Sequence, residues 1–210
     1  MAKGQDTRTR ILDAAQSAVL EKGFGGTSID ELIAVTGLTK SGFFYHFRDK
    51  NMLARALLER YVAEEEALLD GVFARARELA EEPLPTLLLG LRLLSEVVRD
   101  LPGGHPGCLV AVSVYTDRLF DREVRELNRQ AVLLMRARFR TLFEAVLRDH
   151  APRGELSVDQ LADLVGTVLE GSIILSKALR QPEAMADQIL MLRTLLKAFF
   201  QPAREAARAA

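Results

Sequence analysis

The sequence predicts an all-α protein in which three short N-terminal helices precede a larger region of longer helices, about nine in all. Three observations carry this. Apolar residues recur at spacings of three and four almost throughout. Hydrophobic residues make up 49% of the 210, Trp is absent, and the Ala, Leu, Glu and Arg richness favours helix over strand. Gly, Pro and capping residues then cut this pattern into segments, with no tandem repeat and no low-complexity linker.

The first helix is expected from Thr7, as N-cap, to about Glu21, with Ile11, Leu12, Ala15, Ala18 and Val19 as its apolar stripe. Gly23 suits a left-handed terminus, over which Phe24 folds back. Thr27 and Ser28 each stand three residues before an acid, Asp30 or Glu31, so two capping boxes overlap ahead of a second helix that stops at Gly37. A third starts at Thr39 or Lys40 and ends near Phe47. Asp49 caps a long fourth helix over 50–81, which Pro83 and Pro85 end. Helices follow at 85–100, 107–118, 121–149, 157–180 and 183–200. They are separated by "LPGGHPG", "APRG" and Gln181–Pro182, and Ser157 with Gln160 forms a capping box. The tail from Pro202 has little to bury.

Three short helices with a tight turn at Gly37 have the pattern of a helix-turn-helix. The third is the informative one, within "GLTKSGFFYHFRDK". Leu38, Phe43 and Phe47 pack inward, opposite Leu32 and Ile33. Thr39, Lys40, Ser41 and Gly42 lie on the N-terminal half, the part that a recognition helix offers to base edges in the major groove. Tyr45 and His46 suit phosphate oxygens, Lys50 adds charge, and the N-termini of the second and fourth helices offer N–H groups to anions. Thr27, Ser28 and Phe43 complete the candidate DNA-binding set. Net charge is −1 overall, and cations and anions nearly balance over residues 1–50. Phosphate affinity therefore rests on where Arg8, Arg10, Lys40 and Lys50 are placed.

The stretch "TRTRILDAAQSAVLEKGFGGTSIDELIAVTGLTKSGFFYHFRDKNML" resembles the N-terminal domain of TetR-family transcriptional regulators. The matching elements run in order: the Ile/Leu–Ala first helix, Lys22–Gly23–Phe24, Thr27–Ser28, Gly37, Thr39–Lys40–Ser41, and the aromatic run ending in Lys50. The resemblance implies a homodimer with two recognition helices and a larger helical domain that binds an effector. Residues 1–50 would be the DNA-binding domain and 51–210 the ligand-binding and dimerisation domain. Two positions depart from the family pattern. Phe44 stands where a Tyr is usual, so Tyr45 must take over its phosphate hydroxyl or the contact is lost. Ile33 stands where a small Ala is usual, which changes how the second and third helices pack.

Beyond residue 50, the helix over 157–180 is apolar around much of its circumference, and the one over 183–200 carries another apolar set. Leu161, Leu164, Val165, Val168, Leu169, Gly171, Ile189, Leu192 and Leu196 are the candidate interface of a two-fold dimer. The function expected is a homodimeric repressor of a palindromic operator, released by an apolar or amphipathic small molecule; an activator or corepressed form stays open. Tyr115 and Asp117 are candidate polar contacts for that effector. Cys108, the single cysteine, sits in "GGHPGCLV" and resembles a subset of the family with Gly–Cys–Leu here, some of which sense electrophiles. Packing as a small helix-terminal residue is its plainer reading. One cysteine gives no disulfide framework, which suggests a reducing compartment. With no apolar signal core and no apolar run near 18 residues, a soluble cytoplasmic protein without membrane contact is expected.

The sequence argues against catalysis. His46, His105 and His150 are its only histidines, and no triad, metal-spaced cluster or phosphate-binding Gly-rich loop appears. No cofactor or metal is expected. A helical protein-interaction module would share the long amphipathic helices, but would leave Thr39–Ser41 beside the aromatic run without a purpose.

Overall fold

A computed structural model describes residues 2–200, with side chains from Asp6 to Phe200. The predicted tail from Pro202 lies outside the described residues. Among these, nine α-helices occur and no strand. They are α1 (Ala2–Gly26), α2 (Ile29–Thr36), α3 (Lys40–His46), α4 (Lys50–Leu79), α5 (Pro83–Arg99), α6 (Leu109–Tyr115), α7 (Arg122–Asp149), α8 (Val158–Leu179) and α9 (Ala184–Phe200). A 3-10 turn, Asp117–Leu119, precedes α7.

Most boundaries follow local chemistry. Ser28 caps α2, its hydroxyl accepting the Glu31 N–H, and Gly37 ends it with φ +66°. Ser157 and Gln160 form the reciprocal capping box of α8. Thr7 is not an N-cap, because α1 is already helical at Ala2. Gly23 breaks α1 internally at φ +77°, and a last turn continues to Gly26. α5 begins at Pro83, since proline fits the first turn of a helix, where no intrahelical N–H bond is needed. α6 is shorter than expected, ending at Tyr115 before the 3-10 turn.

The chain forms two compact units. One joins the chain up to Glu66 with Pro106–Val132; the other joins Ala67–His105 with the chain from Leu133 onward. The first unit has one continuous apolar core. Ile11, Leu12, Phe24, Leu32, Phe43 and Phe47 share it with Leu53, Leu57 and Tyr61 of α4, Leu109 of α6, Phe120, and Val124 of α7. The rings of Phe24 and Phe120 meet edge-to-face at 4.8 Å. Polar ties back this packing: Asn51 Oδ1 accepts the Asp121 N–H at 3.1 Å, and Arg55 pairs with Glu123 at 2.7 Å.

In the second unit α9 packs on both α5 and α8. Arg193 on α9 donates to the Leu88 carbonyl of α5 (3.0 Å), and Arg99 pairs with Asp187 (2.8 Å). The arginines of α7 serve as tethers here. Arg136 grips Asp163 of α8 with two hydrogen bonds, at 2.7 and 2.9 Å. Arg140 reaches Asp159 (3.0 Å) and Arg138 reaches Asp70 (2.7 Å). Gly90 of α5 lies against the Phe73 ring of α4.

Candidate nucleic-acid interface

The site is built on α2, the turn at Gly37 and α3. Gly37 N–H bonds to the Ala34 carbonyl (3.3 Å) and Leu38 N–H to that of Ile33 (3.2 Å), which closes α2 and reverses the chain. Thr36 holds its own terminus through a hydroxyl bond to the Leu32 carbonyl at 2.6 Å. Thr39 then opens α3, its hydroxyl accepting the Gly42 N–H at 3.1 Å and lying 3.2 Å from the Ser41 hydroxyl. A Cβ on Gly42 would sit 3.1 Å from that same Thr39 oxygen, so the bare glycine keeps the cap open. Phe43 and Phe47 are fully enclosed and pin α3 to the core, with Phe44 edge-on to Phe43 at 5.7 Å.

Opposite this buried side α3 offers Lys40, Ser41 and Tyr45, the last 83% exposed, with His46 half-buried edge-on to the Tyr45 ring. Ser28 is exposed at the start of α2, its hydroxyl occupied by the cap. The predicted set thus divides. Thr27 is 2% exposed and donates to the Gly23 carbonyl at 2.9 Å, so it locks the entry to α2 and presents nothing outward. Phe43 likewise packs and presents nothing. Lys50 is half-buried, its ammonium bound to the Phe24 carbonyl, and desolvation holds its pKa below the usual lysine range. Val35, 71% exposed on α2, was not anticipated. Helical spacing gave no signal for it, because Val35 stands three residues after buried Leu32 and so on nearly the same face.

The cations on this head are engaged within the chain. Arg8 stacks over the Phe47 ring (5.3 Å), Arg10 donates to the Thr36 carbonyl (2.7 Å), and Lys40 lies 3.5 Å from Asp30. Lys22 pairs with Glu31, whose carboxyl is held below the usual range by that hydrogen bond. Asp49 caps the start of α4 by accepting the Met52 N–H at 2.8 Å, which keeps its carboxyl below the usual range.

The other candidates fall elsewhere. Cys108 is half-buried and caps α6, its sulfur accepting the Ala111 N–H at 3.4 Å. Tyr61, buried beneath it, reaches toward the Gly107 carbonyl at 3.5 Å, and burial pushes its phenol far up, with Cys108 and Glu65 as further neighbours. Tyr115 is 82% exposed and Asp117 is exposed beside it, so neither points into an interior as an effector contact would. Among the expected interface residues, Leu161, Val165, Ile189, Leu192 and Leu196 are buried within the chain itself, so they offer no surface to a second copy. Val168, Leu169 and Gly171 are half-buried, and Leu164 is exposed. Among the described residues, no group of three or more His, Cys, Asp or Glu could hold a metal ion, and no helix is long and apolar enough to cross a membrane.

A capped, aromatic-pinned second helix following a glycine turn, with its polar side outward, defines a helix-turn-helix protein. Residues 11–57 match the family model described as bacterial regulatory proteins, tetR family. Over 176 residues the chain is 28% identical to the probable HTH-type transcriptional regulator ArpR of Pseudomonas putida, covering 81% of this chain and 80% of that one. A TetR transcriptional regulator from Chloroflexus aurantiacus J-10-FL has the same fold, with a TM-score of 0.77 and 25% identity over 97% of this chain and all of that one. The reduced form of Escherichia coli NemR superposes with a TM-score of 0.74 at 20% identity, over 94% of this chain and 99% of that one. The family-model match over residues 11–57, the relatives and the shared fold together support a TetR-family transcriptional regulator.

Proposed function

We propose that this regulator is a homodimeric repressor that binds a palindromic operator through residues 1–50 and is released when an apolar or amphipathic small molecule binds the helices beyond. The observation that carries the reading is α3 itself. Two enclosed rings fix its angle while Lys40, Ser41 and Tyr45 stand outward where base edges and phosphates would meet them.

Two-fold assembly rests on a stripe that keeps Leu164 from the one the sequence suggested and otherwise uses other residues. Leu164, Ile174, Leu175 and Leu179 of α8 are exposed at helical spacing, with Met191 and Leu195 of α9. So much apolar surface on adjacent helices favours a second copy, giving a four-helix contact. A dimer presents two recognition helices to successive major grooves, about 34–36 Å apart. An effector that binds a state with a different spacing more tightly releases the DNA, and its differential affinity sets how far the equilibrium moves.

The test is selection of bound duplexes from a random pool, followed by titration of the selected site at several salt concentrations. A palindrome should emerge, and affinity should fall steeply with salt. Tyr45→Ala should weaken binding by roughly tenfold, within the range of about 1–3 kcal/mol per lost contact, and leave the dimer intact. Ile174→Glu with Leu195→Glu should give monomers that lose the palindrome. A wild-type chain that is monomeric and binds no duplex preferentially refutes the reading.

A second reading is favoured by the surroundings of Cys108. Its sulfur lies beside Tyr61, in the same core that holds Phe43 and Phe47. Addition of an α,β-unsaturated carbonyl would form a sulfur–carbon bond, with the thiol proton ending on the α-carbon. The new thioether would need the space that Tyr61 fills. N-ethylmaleimide should then release wild-type protein from its selected duplex but not Cys108→Ser; equal release of both overturns it.

A further inference from the structure

The structure assigns Asp30 as a specificity-determining residue: it restrains Lys40, so that binding to DNA of arbitrary sequence is weakened more than binding to the operator. This rests on the DNA-binding reading above.

The argument begins with the partners of the head's cations. Arg8 covers a ring, Arg10 holds the last carbonyl of α2, and Lys50 holds a partly buried carbonyl; each contact secures the fold. Lys40 is different. Its partner is the Asp30 carboxylate at 3.5 Å, and the two side chains are 69% and 81% exposed. An ion pair that open to water adds about 0–1 kcal/mol to stability, so folding does not require it. What distinguishes it is place. Asp30 lies in the first turn of α2, and Lys40 opens α3 on the side that presents Ser41 and Tyr45.

A carboxylate there has two effects on an approaching duplex. It repels phosphate, and it competes with phosphate for the Lys40 ammonium. The neighbouring Glu31 is already tied to Lys22, which leaves Asp30 as the acid that faces Lys40. Binding to arbitrary sequence is almost wholly electrostatic and bears this penalty in full. Operator binding also draws on hydrogen bonds to base edges, which Asp30 does not oppose. Asp30 thus acts through Lys40 as a positioning residue.

The test uses the full-length chain and four proteins: wild type, Asp30→Asn, Lys40→Gln and the double variant. Each is titrated by fluorescence anisotropy against its selected duplex and a random-sequence duplex of equal length, from 50 to 200 mM salt. Asp30→Asn should tighten binding to the random duplex several-fold at 50 mM. The slope of log affinity against log salt should steepen by about 0.9, one added phosphate contact, so the gain shrinks about 3.5-fold by 200 mM. The selected duplex should gain less, and in the Lys40→Gln background the steepening should vanish. Circular dichroism establishes that all four remain folded. Three outcomes overturn the inference while DNA binding stands: unchanged affinity for the random duplex, equal gains on both duplexes, or an undiminished effect without Lys40. Failure of the wild type to bind either duplex overturns the DNA-binding reading and this inference with it.

Discussion

Replacing Gly90 by Ala tests the packing of α5 on α4. A Cβ built at Gly90 lies 2.6 Å from Cδ1 and 2.9 Å from Cζ of Phe73, with Cε1 closer still. Ordinary contact begins near 3.4 Å, so the ring must retreat by about 0.8 Å at Cδ1 and further at Cε1. Phe73 is 1% exposed and backed by the Phe139 ring at 5.8 Å, which leaves it little room. Overpacking of this kind costs about 1–3 kcal/mol, towards the upper end for an enclosed ring. Alanine recovers up to about 1 kcal/mol over glycine in a helix interior. The net expectation is a loss of about 1–2 kcal/mol, or about 2–8 °C in Tm for a chain of this length. Thermal melts at fixed protein concentration measure it, because dimerisation would make Tm concentration-dependent. A Phe73→Leu background should remove the loss and leave the helix-propensity gain. The reasoning fails if Gly90→Ala melts at or above the wild type, or if the loss is the same in the leucine background.

Three further outcomes follow from local geometry. Asp49→Ala removes the cap on the Met52 N–H and should cost about 1 kcal/mol, whereas Asp49→Asn should be nearly neutral; urea midpoints decide. Arg180 ends α8 in the left-handed region at φ 54°, so Arg180→Gly should gain about 0.5–1 kcal/mol, read as a higher Tm. His105 is held below its ordinary pKa of 6.5 by burial and then by Lys177. A proton binds the unfolded chain more readily than the folded one, so this contribution to stability is complete above about pH 6.5 and is lost as pH falls towards the depressed folded value. Melts between pH 7.5 and 5.5 should fall more steeply for the wild type than for His105→Gln.

The caps and turns were legible because each is set by a few neighbouring residues. Ser28, Gly37, Thr39 and the Ser157–Gln160 pair all act as their spacing suggests. Long-range partners were not legible. Nothing in the sequence ties Arg10 to the Thr36 carbonyl, 26 positions away, or Lys50 to that of Phe24. The sides of α8 and α9 were ambiguous for another reason. Both helices are apolar around most of their circumference, so periodicity could not tell Leu161 and Leu192, which are buried, from Ile174 and Leu195, which are exposed. The 3-10 turn after α6 escaped because "YTDRLF" carries neither glycine nor proline.

The joint core of α1, α3, α4, α6 and the start of α7 bears on protein engineering. Grafting this helix-turn-helix head onto another protein by a cut at residue 50 would strip Leu57, Tyr61, Leu109 and Phe120 from beneath Phe24 and the rings of α3. A working chimaera has to carry the 106–132 segment along with the first 66 residues, because the part that reads and the part that supports it are not contiguous in the gene.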